Sequence, residues 1–183
     1  MNFLRSLFGK DEKDEKDVGL PPSAETLAEA KKIFFEYSCN GLHMAQNDVH
    51  FSKYMVSKEQ EAEWRNEFIT YWRSQLSTED LTAVQKLRDA DAIESLPDLI
   101  AIVDKGDSYA KLRIAEAIAA IGYMAEDRSL RKQTKATARK IAQSILDHPM
   151  QVSESHKIEI ERLGGSRSNP EEYIIPFAKN VVE

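Results

Sequence analysis

Apolar residues along this chain recur at three- and four-residue intervals, the spacing that gathers them on one face of a helix. After Ser23, a side chain suited to capping, and Glu25 in the first turn, Leu27, Ala30, Ile33, Phe34 and Tyr37 keep that spacing until Asn40-Gly41 supplies a stop. The stretch from Leu42 to Val56 is less periodic and leaves room for a short helix and a loop. Ser57-Lys58-Glu59-Gln60 then has the spacing of a capping box, in which Gln60 reaches back to the Ser57 main chain. Behind it Trp64, Phe68, Tyr71, Trp72 and Leu76 predict one buried stripe. Ser77 to Asp80 restart a helix that carries Leu81, Val84 and Leu87.

The second half repeats the pattern. Ile93 to Gly122 reads as a helical pair, with Leu96, Leu99, Ile100 and Val103 facing inward on the first member and Leu112, Ala115, Ile118, Ala119 and Ile121 on the second. Ser129 to Asp147 is amphipathic and stopped by His148-Pro149, and Ser153 to Leu163 is a shorter helix ended by Gly164-Gly165. Asn169-Pro170-Glu171-Glu172 opens a last helix with proline at its first position and acids in its first turn, and Pro176 is expected to break or kink it. Alternating β-branched runs are missing throughout. The expected fold is all-α, a compact antiparallel bundle or a short α-solenoid-like stack.

Upstream the pattern changes. Lys10 to Asp17 is an unbroken charged run, KDEKDEKD, which has no apolar surface to bury in return for being ordered. Ahead of it Phe3, Leu4, Leu7 and Phe8 would share one helical face. Residues 1–22 therefore read as a short amphipathic segment on a charged tether, and residues 23–183 as a single helical domain. Residues 1–10 have two readings, an anchor for a membrane surface or a partner, and a terminus that frays or packs on its own domain. No apolar run approaches the roughly 20 residues needed to span a bilayer, and no signal-peptide pattern is present, so the expected setting is cytoplasmic. A single cysteine, Cys39, excludes an intrachain disulfide. The 42% apolar and 31% charged content is that of a globular chain, and the net charge of −6 argues against a dedicated nucleic-acid binder.

Within the pair, Leu96-Pro97-Asp98-Leu99-Ile100, Asp107 in the turn, and Lys111 followed by Ala115, Ala117, Ile118, Ile121 and Gly122 carry a likeness. The segment 93–122 resembles one HEAT-type α-solenoid repeat, a family in which a basic residue opens the second helix and small alanines let the helices pack closely. Ile114 departs from it, standing where the family prefers Ala. The resemblance covers 30 of 183 residues and no second copy follows at a fixed period. It implies a stack of antiparallel helices and, by analogy with the family, a role in binding proteins.

Few groupings offer chemistry. Cys39, His43 and His50, with Asp48 between the histidines, are candidates for a metal or thiol site, against the plain alternative of a helix end and loop whose polar side chains bond the backbone. A di-iron carboxylate centre would need Glu-x-x-His on two helices, and the residues three before His43, His50, His148 and His156 are Asn40, Asn47, Ile145 and Ser153. Glu59, Glu63 and Glu67 share a helical face and read as solvated. Trp64, Phe68 and Trp72 are suited to a flat ligand but sit at core spacing. Gly164 to Ser168 resembles an anion cradle only in its glycines, and a flexible connector explains it. The most distinctive pattern is basic: Arg128, Arg131, Lys135 and Arg139 recur at three and four residues, flanked by Lys132 and Lys140, with no acid between Ser129 and Gln143. Such a stripe is a candidate docking face for an acidic partner, a nucleic acid or another polyanion, and an ordinary amphipathic surface helix has the same pattern. The expectation is a non-catalytic helical module that binds another protein, with no catalytic residue, metal or cofactor assigned.

Overall fold

The computed structural model describes residues 23–183. The amphipathic segment and tether expected over residues 1–22 lie outside the described residues. Within them run α1 (Ala24–Glu36), α2 (Gly41–Gln46), α3 (Lys58–Ser74), α4 (Thr82–Asp89), α5 (Leu96–Ile102), α6 (Ser108–Met124), α7 (Arg128–Asp147), α8 (Glu154–Arg162) and α9 (Glu171–Val182). Short 3-10 turns link some of them, and no strand occurs among the described residues. The fold is an all-α bundle.

Side-chain caps start many of these helices. Ser23, Ser57, Asp107, Asp127 and Ser153 each hold extended backbone and accept a hydrogen bond from a main-chain N–H of the first turn. Only half of the expected capping box closes at α3: Ser57 accepts from the Gln60 N–H, but the Gln60 side chain donates to Glu63 at 2.9 Å instead of reaching back. Asn40 also does something other than end α1. The chain turns through left-handed Ser38 and Cys39 (φ 54° and 56°), and Asn40 then opens α2 by accepting from the N–H groups of Leu42 and His43. Pro176 neither ends nor interrupts α9, which runs from Glu171 to Val182. It is exposed, and so is Glu172, whose carbonyl loses its N–H partner at the solvent side.

α6 organises the core. Its buried residues include Tyr109, Leu112, Ile114, Ala115, Ile118 and Ile121, which point to different sides, because α4, α5, α7 and α9 all pack on it and α7 does so along the greatest length. Leu96, Leu99 and Val103 meet α6 on one side, and Ile145, Ile160 and Ile174 cluster with Leu112 on another. A third cluster joins α1 to α3 through Phe34, Trp64, Phe68 and Ile69. Two residues expected inside are on the surface. Tyr71 is 55% exposed, because packing of α3 on α4 turns the buried arc toward Ile69 and leaves Tyr71 at its edge. Ile100 is 43% exposed, because the short α5 faces α6 through Leu96, Leu99 and Val103 alone.

Candidate functional site

The basic stripe lies along the outside of α7. Thr134, Ala138, Ala142 and Ile145 are buried on its inner side, while Arg128, Arg131, Lys132, Lys135 and Lys140 are exposed and Arg139 is half-buried. Two of the six are structural. Arg131 donates from Nε to the Ala125 carbonyl at 2.5 Å and from a terminal nitrogen to Glu126, closing the turn into α7. Arg139 donates to the main-chain oxygen of Glu183, at the far end of α9. None of the six forms an ion pair with a carboxylate side chain among the described residues. Elsewhere Lys31, Lys58, Arg73 and Arg113 each sit 2.5–2.8 Å from an acid. Among the described residues, the outer face of α7 therefore carries a run of cations without carboxylate side-chain partners, on a chain whose net charge is −6.

Cys39, His43 and His50 do not come together as a site. No group of three or more His, Cys, Asp or Glu side chains converges to hold a metal among the described residues. Cys39 is buried in the bend after α1, His43 lies on α2, and His50 is exposed ahead of a 3-10 turn. Burial pushes the Cys39 thiol up to about 12, against the pull of nearby Arg65, so at neutral pH it is a protonated thiol and a poor nucleophile. The polar groups around it tie backbone together. Asn40 donates to the Asp89 carbonyl at 2.8 Å and to the Asp91 carboxylate at 3.0 Å, and Arg65 donates to the Ala90 carbonyl at 2.6 Å. In native protein Cys39 is expected to resist a disulfide-exchange reagent, and to react once denaturant is added. Rapid labelling of the folded chain would contradict this burial.

Other candidates take structural roles. Glu63 accepts from Gln60 and Glu67 pairs with Lys31. Trp64 and Phe68 pack against Phe34 and Phe35 with ring centroids 6.1 and 5.3 Å apart. Arg167, in the loop after α8, donates to Glu154.

The most concentrated chemistry is a pair of residues that spacing did not single out as a site. Asp107, the cap of α6, accepts from the Ala110 N–H at 2.9 Å through Oδ1, and from the Ser153 N–H and His156 Nδ1, both at 2.7 Å, through Oδ2. Burial alone would raise its pKa, but these three donors and the His156 charge outweigh burial and hold the carboxyl at about 2. His156 is shifted up from its ordinary value, first by the hydrogen bond to Asp107 and against the effect of its own burial. The Glu79 main-chain carbonyl beside the ring also favours its protonated form. Tyr109 packs on the imidazole with centroids 5.1 Å apart. Asp107 and His156 are 49 positions apart. The only local signals were an aspartate at a helix start and a histidine three residues after the Ser153 cap.

Fold and sites together define an all-α bundle that carries a basic helix face and a buried Asp–His pair. Compared with known proteins, the chain matches no family model, and no curated protein or solved structure matches it. No helix among the described residues is long and apolar enough to cross a membrane.

Proposed function

We propose that this chain is a non-catalytic helical interaction module that docks an acidic surface of another protein along the outer face of α7. The observation that carries this reading is the row of exposed cations Arg128, Lys132, Lys135 and Lys140, which have no carboxylate partner among the described residues. α7 has 20 residues, which at ~1.5 Å per residue makes a straight edge of about 30 Å, long enough for several contacts. A protein with a local acidic patch fits it better than nucleic acid does. A long uniform polyanion would also meet the negative charge of the remaining surface, and the stripe lacks the interleaved aromatics on which single strands stack. The HEAT-like character of the α5–α6 segment supports the same reading by analogy. A second reading, docking of a nucleic acid or other polyanion, rests on the same cations.

The test is a triple charge reversal, Lys132→Glu, Lys135→Glu and Lys140→Glu, which leaves the structural Arg131 and Arg139 in place. Binding of a Glu- and Asp-rich peptide is expected to weaken with salt and to fall roughly tenfold or more in the variant, because exposed interfacial charges act on encounter and register. Duplex DNA and RNA of matched charge are expected not to bind. Salt-steep nucleic-acid binding that the reversal abolishes would establish the second reading in its place.

A further inference from the structure

α9 covers one side of the α6–α7 hairpin, but only in part. Its Ile174 and Ala178 cluster with Ala142 and Ile145 of α7, and it ends where the Glu183 main-chain oxygen accepts from Arg139. The side of α7 beneath it continues toward the N-terminus of that helix, because residues seven apart stand nearly above one another. Ala142 is buried, whereas Lys135 and Arg128, seven and fourteen residues before it, are exposed among the described residues. On α6 the corresponding side runs from buried Leu112, in the same cluster as Ile174 and Ala178, to Tyr123, eleven residues or about three turns further on. Tyr123 is 77% exposed. The two uncovered ends are level with each other. Gly122 abuts Thr134 across the hairpin, and in an antiparallel pair of right-handed helices the residues that follow such a contact turn to the same side. Tyr123 and Lys135 therefore flank one shelf, which begins where α9 stops and reaches Arg128, eleven residues or roughly 16 Å from Arg139.

We propose that this shelf seats a short acidic helix of the partner, about three turns long and in line with α9, whose carboxylates meet Arg128, Lys132 and Lys135 while one apolar side chain lies on the Tyr123 ring. The inference rests on the reading of α7 as a docking face and narrows it to one part of that helix and one shape of partner. Charge selects the occupant first. The α7 wall presents cations at spacings of three and four residues, and carboxylates at those spacings on a facing helix share one side of it and can engage together. Shape selects it next, since the same side of the hairpin already holds a helix, α9, and the shelf continues its line. Tyr123 adds apolar contact area that a row of charges lacks, and tyrosine with arginine is the pairing in which binding energy concentrates. Asp127, in the turn beside Arg128, is committed to the cap at Ser129. Lys140, five residues after Lys135, projects from a different side of α7 and lies outside the shelf.

The experiment measures binding of a fluorescein-labelled, side-chain-stapled helical peptide to the full chain by fluorescence anisotropy at low salt. The peptide carries glutamates at intervals of three and four residues and a single tryptophan. The control is the same peptide unstapled and with a central proline, which breaks the helix. The stapled peptide is expected to bind roughly tenfold more tightly than the control. Tyr123→Ser and Lys135→Glu should each weaken it roughly tenfold, while Lys140→Glu leaves it within about twofold. All three substitutions fall at exposed positions and should leave the melting temperature unchanged. The proposal is overturned, with the docking face left standing, if the two peptides bind alike, if Tyr123→Ser changes nothing, or if Lys140→Glu weakens binding as much as Lys135→Glu, while the triple reversal at Lys132, Lys135 and Lys140 still abolishes it. If neither peptide binds, the shelf and the docking face fall together. Self-association of the chain that Tyr123→Ser and Lys135→Glu abolish would make a second copy the occupant and overturn the proposal as well.

Discussion

Replacing Asp107 with alanine is expected to remove roughly 3 kcal/mol of stability, read as a lowered urea midpoint at an unchanged slope. One carboxylate there serves three donors: it caps α6 at Ala110, fixes the start of α8 at Ser153, and holds His156. Alanine loses a cap worth ~1 kcal/mol and leaves the buried imidazole Nδ1 of His156 without its partner, a further ~1–3 kcal/mol. The adjacent bonds, Ser108 N–H to the Gln151 carbonyl at 2.8 Å and Gln151 N–H to Ser108 Oγ at 3.1 Å, lace the same two segments and would be strained in turn. Asp107→Asn keeps a capping oxygen and should lose less. Equal losses for the two variants would contradict this, showing that the whole contribution comes from the charge and none from the capping oxygen.

The same pair sets a pH dependence whose sign differs at its two ends. Asp107 has a folded pKa near 2 against an ordinary 3.8, so its contribution is present above 3.8 and lost as pH falls toward 2. His156 is raised above 6.5, so its contribution is complete below 6.5 and lost as pH climbs through the folded value. Stability from this pair is therefore greatest between about pH 4 and 6.5 and declines on either side. The alkaline decline should vanish in His156→Phe. A wild-type urea midpoint that stays level from pH 6 to 9 would contradict the assignment.

The second large effect is expected at Gly122, where packing and helix propensity predict opposite signs. Alanine is the better helix former by ~1 kcal/mol, so propensity alone makes Gly122→Ala stabilising. In the bundle a Cβ at Gly122 would lie 1.9 Å from Thr134 Oγ1 and 2.4 Å from Thr134 Cβ. Thr134 cannot swing clear, because it is buried and its hydroxyl donates to the Leu130 carbonyl at 2.9 Å, with the Arg131 carbonyl at 3.0 Å. α6 and α7 would have to separate along their longest contact, so a net loss of about 2–3 kcal/mol is expected, typical of overpacking. Thr134→Gly in the same chain removes the obstructing side chain and should recover part of that loss, a coupling that a double-mutant cycle measures. A Gly122→Ala protein that melts higher than wild type would mean that the helices do not approach this closely.

What the chain settles by itself is local. A helix needs only its own periodicity and its own cap, so the all-α class, the capping roles of Ser23 and Ser57, the basic stripe of α7 and the core spacing of Trp64 and Phe68 were all legible in order along the sequence. Tyr71 and Ile100 were misread, and Pro176 does not break its helix, because these outcomes depend on which neighbour covers which side, and periodicity reports a face without naming its partner. The same limit hid Asp107 and His156. Each looks ordinary in its own helix, and only the packing of α8 against the start of α6 brings the carboxylate to the imidazole, shields both from water, and turns two unremarkable side chains into a hydrogen-bonded pair that shifts the titration of each partner.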